Sequence, residues 1–161
     1  MRLPDQCYSR RTANAYLNHS SMIILAITDD EIRSCFDTMK QLRPNIEEHN
    51  FLSTVRNMMK EGFQLACVKD EAGLVCCVAG FKIAHNLHLG KYLYVEDLIT
   101  DENARSKGMG TKIFDWLIAY AKAENCAAIH LDSGVQRHAA HKFYLNQGMK
   151  IVSYHFLAGI S

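Results

Sequence analysis

Between an apolar run over residues 92–100 and a helical pattern over 111–122 lies Arg105-Ser106-Lys107-Gly108-Met109-Gly110. Two glycines one residue apart, behind a cation, let the backbone turn sharply where no Cβ stands in the way. Successive N–H groups then point outward at the start of a helix, where unpaired donors and a partial positive charge suit a phosphate. A strand running straight into such a turn and out through a helix points to an α/β architecture. It also makes a nucleotide-type ligand the leading expectation.

The chain has 161 residues, enough for one domain with its own core. A formal net charge of +1 argues against nucleic acid or an anionic membrane surface as the main partner. No apolar run approaches the ~20 residues of a membrane span, and the first residues lack a signal-peptide layout. A cytoplasmic protein is therefore expected, with its six cysteines as reduced thiols. Cys76 and Cys77 are adjacent, no Cys-x-x-Cys pair exists, and no metal site is expected.

Residues 1–21 are polar, lack a sustained period, and read as a flexible N-terminal arm ahead of a single domain over 22–161. An apolar run over 22–27 predicts the first strand. Thr28-Asp29-Asp30-Glu31 forms a capping box, and Ile32, Cys35, Phe36 and Met39 follow at helical spacing up to Pro44. Asn45-Ile46-Glu47-Glu48 would cap a second helix with Phe51, Leu52, Val55, Met58 and Met59 on its apolar face. Residues 63–69 and 74–84 predict an antiparallel hairpin about Asp70-Glu71-Ala72-Gly73. A strand over 91–100, the glycine turn, a helix with Ile113, Phe114, Leu117, Ile118 and Ala121 inside, and a strand over 127–131 come next. A helix over 136–147 stopped by Gly148 and a last strand over 151–158 close the order β-α-α-β-β-β-α-β-α-β.

The glycine pattern by itself is weak. The dinucleotide fingerprint needs a third glycine where Ile113 stands, and a position after the first strand. A Walker loop fails for want of Gly-Lys-Ser/Thr. The element order together with Arg105-x-x-Gly108-x-Gly110 resembles the GCN5-related N-acetyltransferases, the GNAT family, over about residues 22–161. That resemblance implies a mixed, mostly antiparallel sheet of about six to seven strands flanked by about four helices. It implies that Arg105, Ser106, Lys107, Gly108, Met109, Gly110 and Thr111 hold the pyrophosphate of acetyl-CoA. Leu98, Ile99 and Thr100 would then pair through their main chain with its pantetheine arm, and no metal is implied.

His138-Ala139-Ala140-His141-Lys142-Phe143-Tyr144-Leu145 and Gln147-Gly148-Met149 are similar to the family's Phe-Tyr helix before a Gly-Met turn. By that likeness Tyr144 serves as general acid to the departing thiolate; a tyrosine of ordinary pKa about 10 can donate to charge developing on sulfur. A core tyrosine bonded to a carbonyl is the bland alternative. Attack on a thioester needs a neutral amine, and Glu96 and Asp97 are the candidate bases. Adjacent strand residues face opposite sides unless a β-bulge intervenes, so the choice between the two stays open. A backbone N–H near Leu98 is the expected oxyanion donor.

The helix is also similar to that of aminoalkylphosphonate N-acetyltransferases, and Tyr94-Val95-Glu96-Asp97-Leu98 to a strand of glucosamine-phosphate N-acetyltransferases. Arg137 and Lys142 are cations that an anionic acceptor could use. The loop His85-Asn86-Leu87-His88 is a candidate wall of the acceptor pocket. His138 and His141, three apart on a helix, suit a metal or an anion, though solvated residues are commoner there. Cys76 and Cys126 lack an evident activating partner for covalent catalysis. The reading is an acetyl-CoA-dependent N-acetyltransferase for a small primary amine. A protein or peptide acceptor is the enzymatic alternative, and a non-catalytic acyl-CoA-binding domain the alternative of another class. The last strand could pair with its counterpart in a second copy, giving a homodimer.

Overall fold

The computed structural model describes residues 22–160; the arm expected over 1–21 lies outside them. Five strands form one sheet in the order β1 (Met22–Leu25), β2 (Phe63–Lys69), β3 (Val75–Asn86), β4 (Gly90–Thr100), β5 (Ala128–Leu131). Neighbours are antiparallel except β4 and β5, which are parallel and therefore need the crossover helix α4 (Met109–Ala123). The remaining helices are α1 (Asp29–Ser34), α2 (Phe36–Leu42), α3 (Glu48–Lys60) and α5 (His138–Asn146), with a 3-10 turn at Glu102–Ala104.

The central strands are buried on both faces, so they read as nearly continuous apolar runs instead of alternating ones. On one face Phe63, Leu65, Cys67 and Val78 meet Ile32, Cys35, Met39, Leu42, Phe51 and Val55 from α1–α3. On the other, Ala66, Val68, Ala79, Phe81, Leu93 and Val95 meet Ile113, Leu117 and Ala121 of α4. Cys35, Cys67, Cys76 and Cys77 are buried free thiols within these layers.

The capping box at Thr28 forms as expected: Glu31 N–H donates to Thr28 Oγ1 at 3.3 Å, and Glu31 Oε2 accepts from Ile27 N and Thr28 N at 2.8 Å each. The helix behind it is not continuous. Ser34 Oγ donates to the Glu31 carbonyl at 2.7 Å, the Cys35 thiol donates to it at 3.4 Å, and the Cys35 amide turns instead to Ile32 O. Side chains thus take the carbonyl that the next helical turn would use, and one expected helix becomes α1 and α2. At α3 the cap residue is Glu47, and no side chain caps the helix, contrary to the expectation for 45–48.

Among the described residues there are five strands in the sheet and five α-helices, not the six to seven strands and four helices expected. The predicted strand over 151–158 forms no regular structure, and Ile151, Val152, Tyr154 and Phe156 are exposed. An alternating segment becomes a strand only against a partner. β5 is four residues long, and His155 pairs with Asp132 just beyond it, Nδ1 to Oδ2 at 3.2 Å.

Candidate functional site

The site begins with an irregularity in β4. Gly80 pairs with Asp97 while the next residue, Phe81, pairs with Val95, leaving Glu96 as an extra residue, a β-bulge. Val95 faces α4 and Asp97 the opposite side with Gly80, so the bulge sends both acids to the face covered by α1–α3. Each acid has its own cation: Lys82 Nζ lies 2.6 Å from Glu96 Oε1, and Arg43 Nε 2.7 Å from Asp97 Oδ1. Arg43 Nη2 also donates to the Glu96 carbonyl at 3.2 Å. A Cβ at position 80 would stand 2.5 Å from Phe63 Cζ and 3.1 Å from Asp97 Oδ2, so only glycine admits the ring and the carboxylate together.

Beyond the bulge β4 and β5 part. Their pairing runs from Tyr92–Ala128 to Val95–Leu131, whereas Leu98, Ile99 and Thr100 pair only with β3. This leaves a strand edge open toward the start of α4. Asp101, which accepts from Gln41 Nε2 at 2.6 Å and from Asn103 N at 2.9 Å, fixes the turn that follows. Those bonds lower the Asp101 carboxyl pKa below its ordinary value. Ser106 (φ 61°) and Gly108 (φ 78°) then take left-handed conformations, and Gly108 begins α4 with no side-chain cap. Met109, Gly110 and Thr111 carry the N–H groups that a helix start leaves unpaired. Gly110 is needed for a second reason: a Cβ there would meet Thr100 Oγ1 at 3.3 Å and the Phe143 ring at 3.5 Å.

That contact brings α5 onto the same corner. Phe143 packs edge-on against Phe114 at 6.0 Å, and Gln147 Nε2 donates to Thr111 Oγ1 at 3.1 Å. Tyr144 is largely buried beside Phe143, and its hydroxyl has no hydrogen-bond partner among the described residues. Burial pushes its hydroxyl pKa up, with the Arg137 charge opposing. Two thiols near the site are held protonated too: burial raises Cys77 to about 12, and Cys76 rises for the same reason, as does Cys126 at the far end of α4.

A cavity of about 460 Å3 lies between β4 and the α2–α3 segment, with Met39, Leu42, Phe51, Val55, Met58 and Phe63 in its wall and Asp97 and Arg43 at one end. Its residues come from α2, the 43–46 segment, α3, β2 and, through Asp97, β4, not from the expected loop at 85–88, which is the exposed tip of the β3–β4 hairpin. Arg137 and Lys142 are exposed on or beside α5 and do not line it. His141 Nε2 lies 3.0 Å from the Gly134 carbonyl, and among the described residues no group of three metal-ligating side chains occurs. Sequence reasoning missed Arg43, Lys82, Phe63 and Gly80. The first three act across the fold and leave no local mark; Gly80, a glycine inside an apolar strand run, was a signal of bulge or close approach.

An open strand edge thus leads into an uncapped helix start, beside two paired acids and a tyrosine whose hydroxyl has no partner among the described residues. The Acetyltransferase (GNAT) family model matches residues 21–149, and the chain belongs to that family. It is 28% identical over 129 residues to YhdJ, an uncharacterized N-acetyltransferase of Bacillus subtilis, covering 79% of this chain and 90% of that one. The fold is similar to glucosamine-6-phosphate N-acetyltransferase from Arabidopsis thaliana, with TM-score 0.69, 20% identity, and coverage of 89% and 100% of the two chains. It is also similar to the aminoglycoside N-acetyltransferase AAC(6')-Iy in complex with CoA, with TM-score 0.76, 11% identity, and coverage of 90% and 99%.

Proposed function

We propose that this GNAT protein is an acetyl-CoA-dependent N-acetyltransferase acting on a small primary amine by direct attack in a ternary complex. The observation that carries the reading is the bulge at Glu96: one extra residue leaves Asp97 at the end of a cavity and opens the strand edge just beyond it. The residues present fit acetyl-CoA. Leu98, Ile99 and Thr100 offer main-chain groups to an amide-bearing arm. Arg105, Ser106, Lys107, Gly108, Met109, Gly110 and Thr111 supply a cationic nest of N–H groups for a pyrophosphate.

When bound, acetyl-CoA supplies an acetyl group activated as a thioester. Asp97, which lines the cavity, takes a proton from the incoming ammonium, directly or through water, so that the nitrogen lone pair can form the new N–C bond. Arg43 holds that carboxylate in place from the other side. Glu96 is neutralised by its ion pair with Lys82 and does not line the cavity. Tyr144 delivers a proton to the sulfur as the C–S bond breaks; its raised pKa keeps that proton on the hydroxyl at neutral pH. The nitrogen sheds its second proton to solvent, which restores the Tyr144 hydroxyl, so the products are an N-acetyl amide, a free thiol and the proton held by Asp97.

The same reading includes a homodimer and a cytoplasmic site of action. No described helix is long and apolar enough to cross a membrane. The open edge of β5 and the exposed apolar side chains over 151–160 support pairing between copies. The test is mass-spectrometric detection of acetylated product from acetyl-CoA and a pooled panel of amines. Asp97→Asn should lower the rate on the order of a hundredfold without weakening acetyl-CoA binding. Full activity in that variant would remove Asp97 from the mechanism.

A further inference from the structure

The walls of the cavity that ends at Asp97 define more than a place for an amine. Met39, Leu42, Phe51, Val55 and Phe63 are each under a tenth exposed, so their apolar atoms form its floor. Polar side chains stand at its rim. Arg43, the cation in the lining, is already engaged by Asp97 and the Glu96 carbonyl. A phosphate would find only the outer donors of Arg43, beside the Asp97 carboxylate that repels it. Sugar hydroxyls laid on this floor would lose water without gaining hydrogen bonds, which is costly.

We infer that the acceptor is a primary amine on an apolar body, either one aryl ring or an alkyl chain, with its ammonium at Asp97 and its body against α2, α3 and Phe63. This rests on the N-acetyltransferase reading above and goes further by choosing a substrate class. It departs from the phosphorylated amines to which the local sequence likeness points. The cavity volume of about 460 Å3 lies within the roughly 300–1,000 Å3 of small-molecule sites.

The test is calorimetric titration of the full chain, saturated with CoA, with butylamine, hexylamine, 2-phenylethylamine, ethanolamine, 2-aminoethylphosphonate and glucosamine 6-phosphate. Affinity should rise roughly fourfold per methylene from butylamine to hexylamine. 2-Phenylethylamine should bind at least ~10-fold tighter than ethanolamine. Thr54→Trp, at an exposed position of α3 that lines the cavity, should abolish the gain for hexylamine and 2-phenylethylamine while the variant's thermal melt stays unchanged. Equal affinity across the series, or tighter binding of either phosphorylated amine, overturns the inference. Turnover with acetyl-CoA is measured separately: absence of any acetylated product overturns the N-acetyltransferase reading, whereas the affinity order alone decides the apolar acceptor.

Discussion

At position 80 a single methyl group is enough to disturb the site. Gly80→Ala would drive a Cβ into the Phe63 ring, which forms the sheet side of the cavity. The expected outcome is a loss of about 1–3 kcal/mol in urea denaturation together with a raised KM for the acceptor and an unchanged KM for acetyl-CoA. At position 144 the expectation separates chemistry from binding. Tyr144→Phe should lower kcat on the order of a hundredfold and leave acetyl-CoA affinity, read by calorimetry, within twofold. The sign of the pH effect follows from burial: a hydroxyl whose pKa is raised stays protonated longer as pH rises. The wild-type kcat profile should therefore show no alkaline fall from this group below the ordinary tyrosine value of about 10. Tyr144 could be singled out in the sequence because the residues that mark it are its neighbours, Phe143 and Gly148. Arg43 could not, because its partner Asp97 lies 54 residues away.

The capping box at Thr28 shows how a local signal becomes a measurable part of stability. Thr28→Ala should cost about 1 kcal/mol and fray α1, whose Asp29 is paired with Arg56 of α3. The Glu31 carboxyl accepts two backbone N–H groups, which lower its pKa from the ordinary 4.5. A depressed folded-state value means the contribution is present above the unfolded value and fades as pH falls through the folded one. Urea midpoints of wild type and Glu31→Gln should thus converge on acidification below about pH 4.5 and differ at pH 7. Both halves of this motif lie within four residues, so it was readable from sequence, as were the glycine turn and the stop at Gly148. The break at Cys35 was hidden because a helical period of Ile32, Cys35, Phe36 and Met39 survives it. The unexpected left-handed Ser106 sits in a turn whose glycines drew the attention.

Across the whole molecule, the element order up to α5 follows from the alternation of apolar runs with helical periods, and the family resemblance carried the mixed sheet. The sixth strand failed for a reason that no single-chain pattern contains: alternation over 151–158 specifies a strand but not which edge receives it. If that edge belongs to a second copy, sedimentation equilibrium should give a dimer for the full chain and a monomer after truncation at Met149; a monomer in both cases would remove the pairing. Considered as a periodic signal, β4 slips by half a period at Glu96: even-numbered side chains point to the α1–α3 face before it, odd-numbered ones after it. Point substitutions along the strand leave that slip where it is. Changes of length move it, so β4 should tolerate exchange of residue types far better than the loss or gain of one residue.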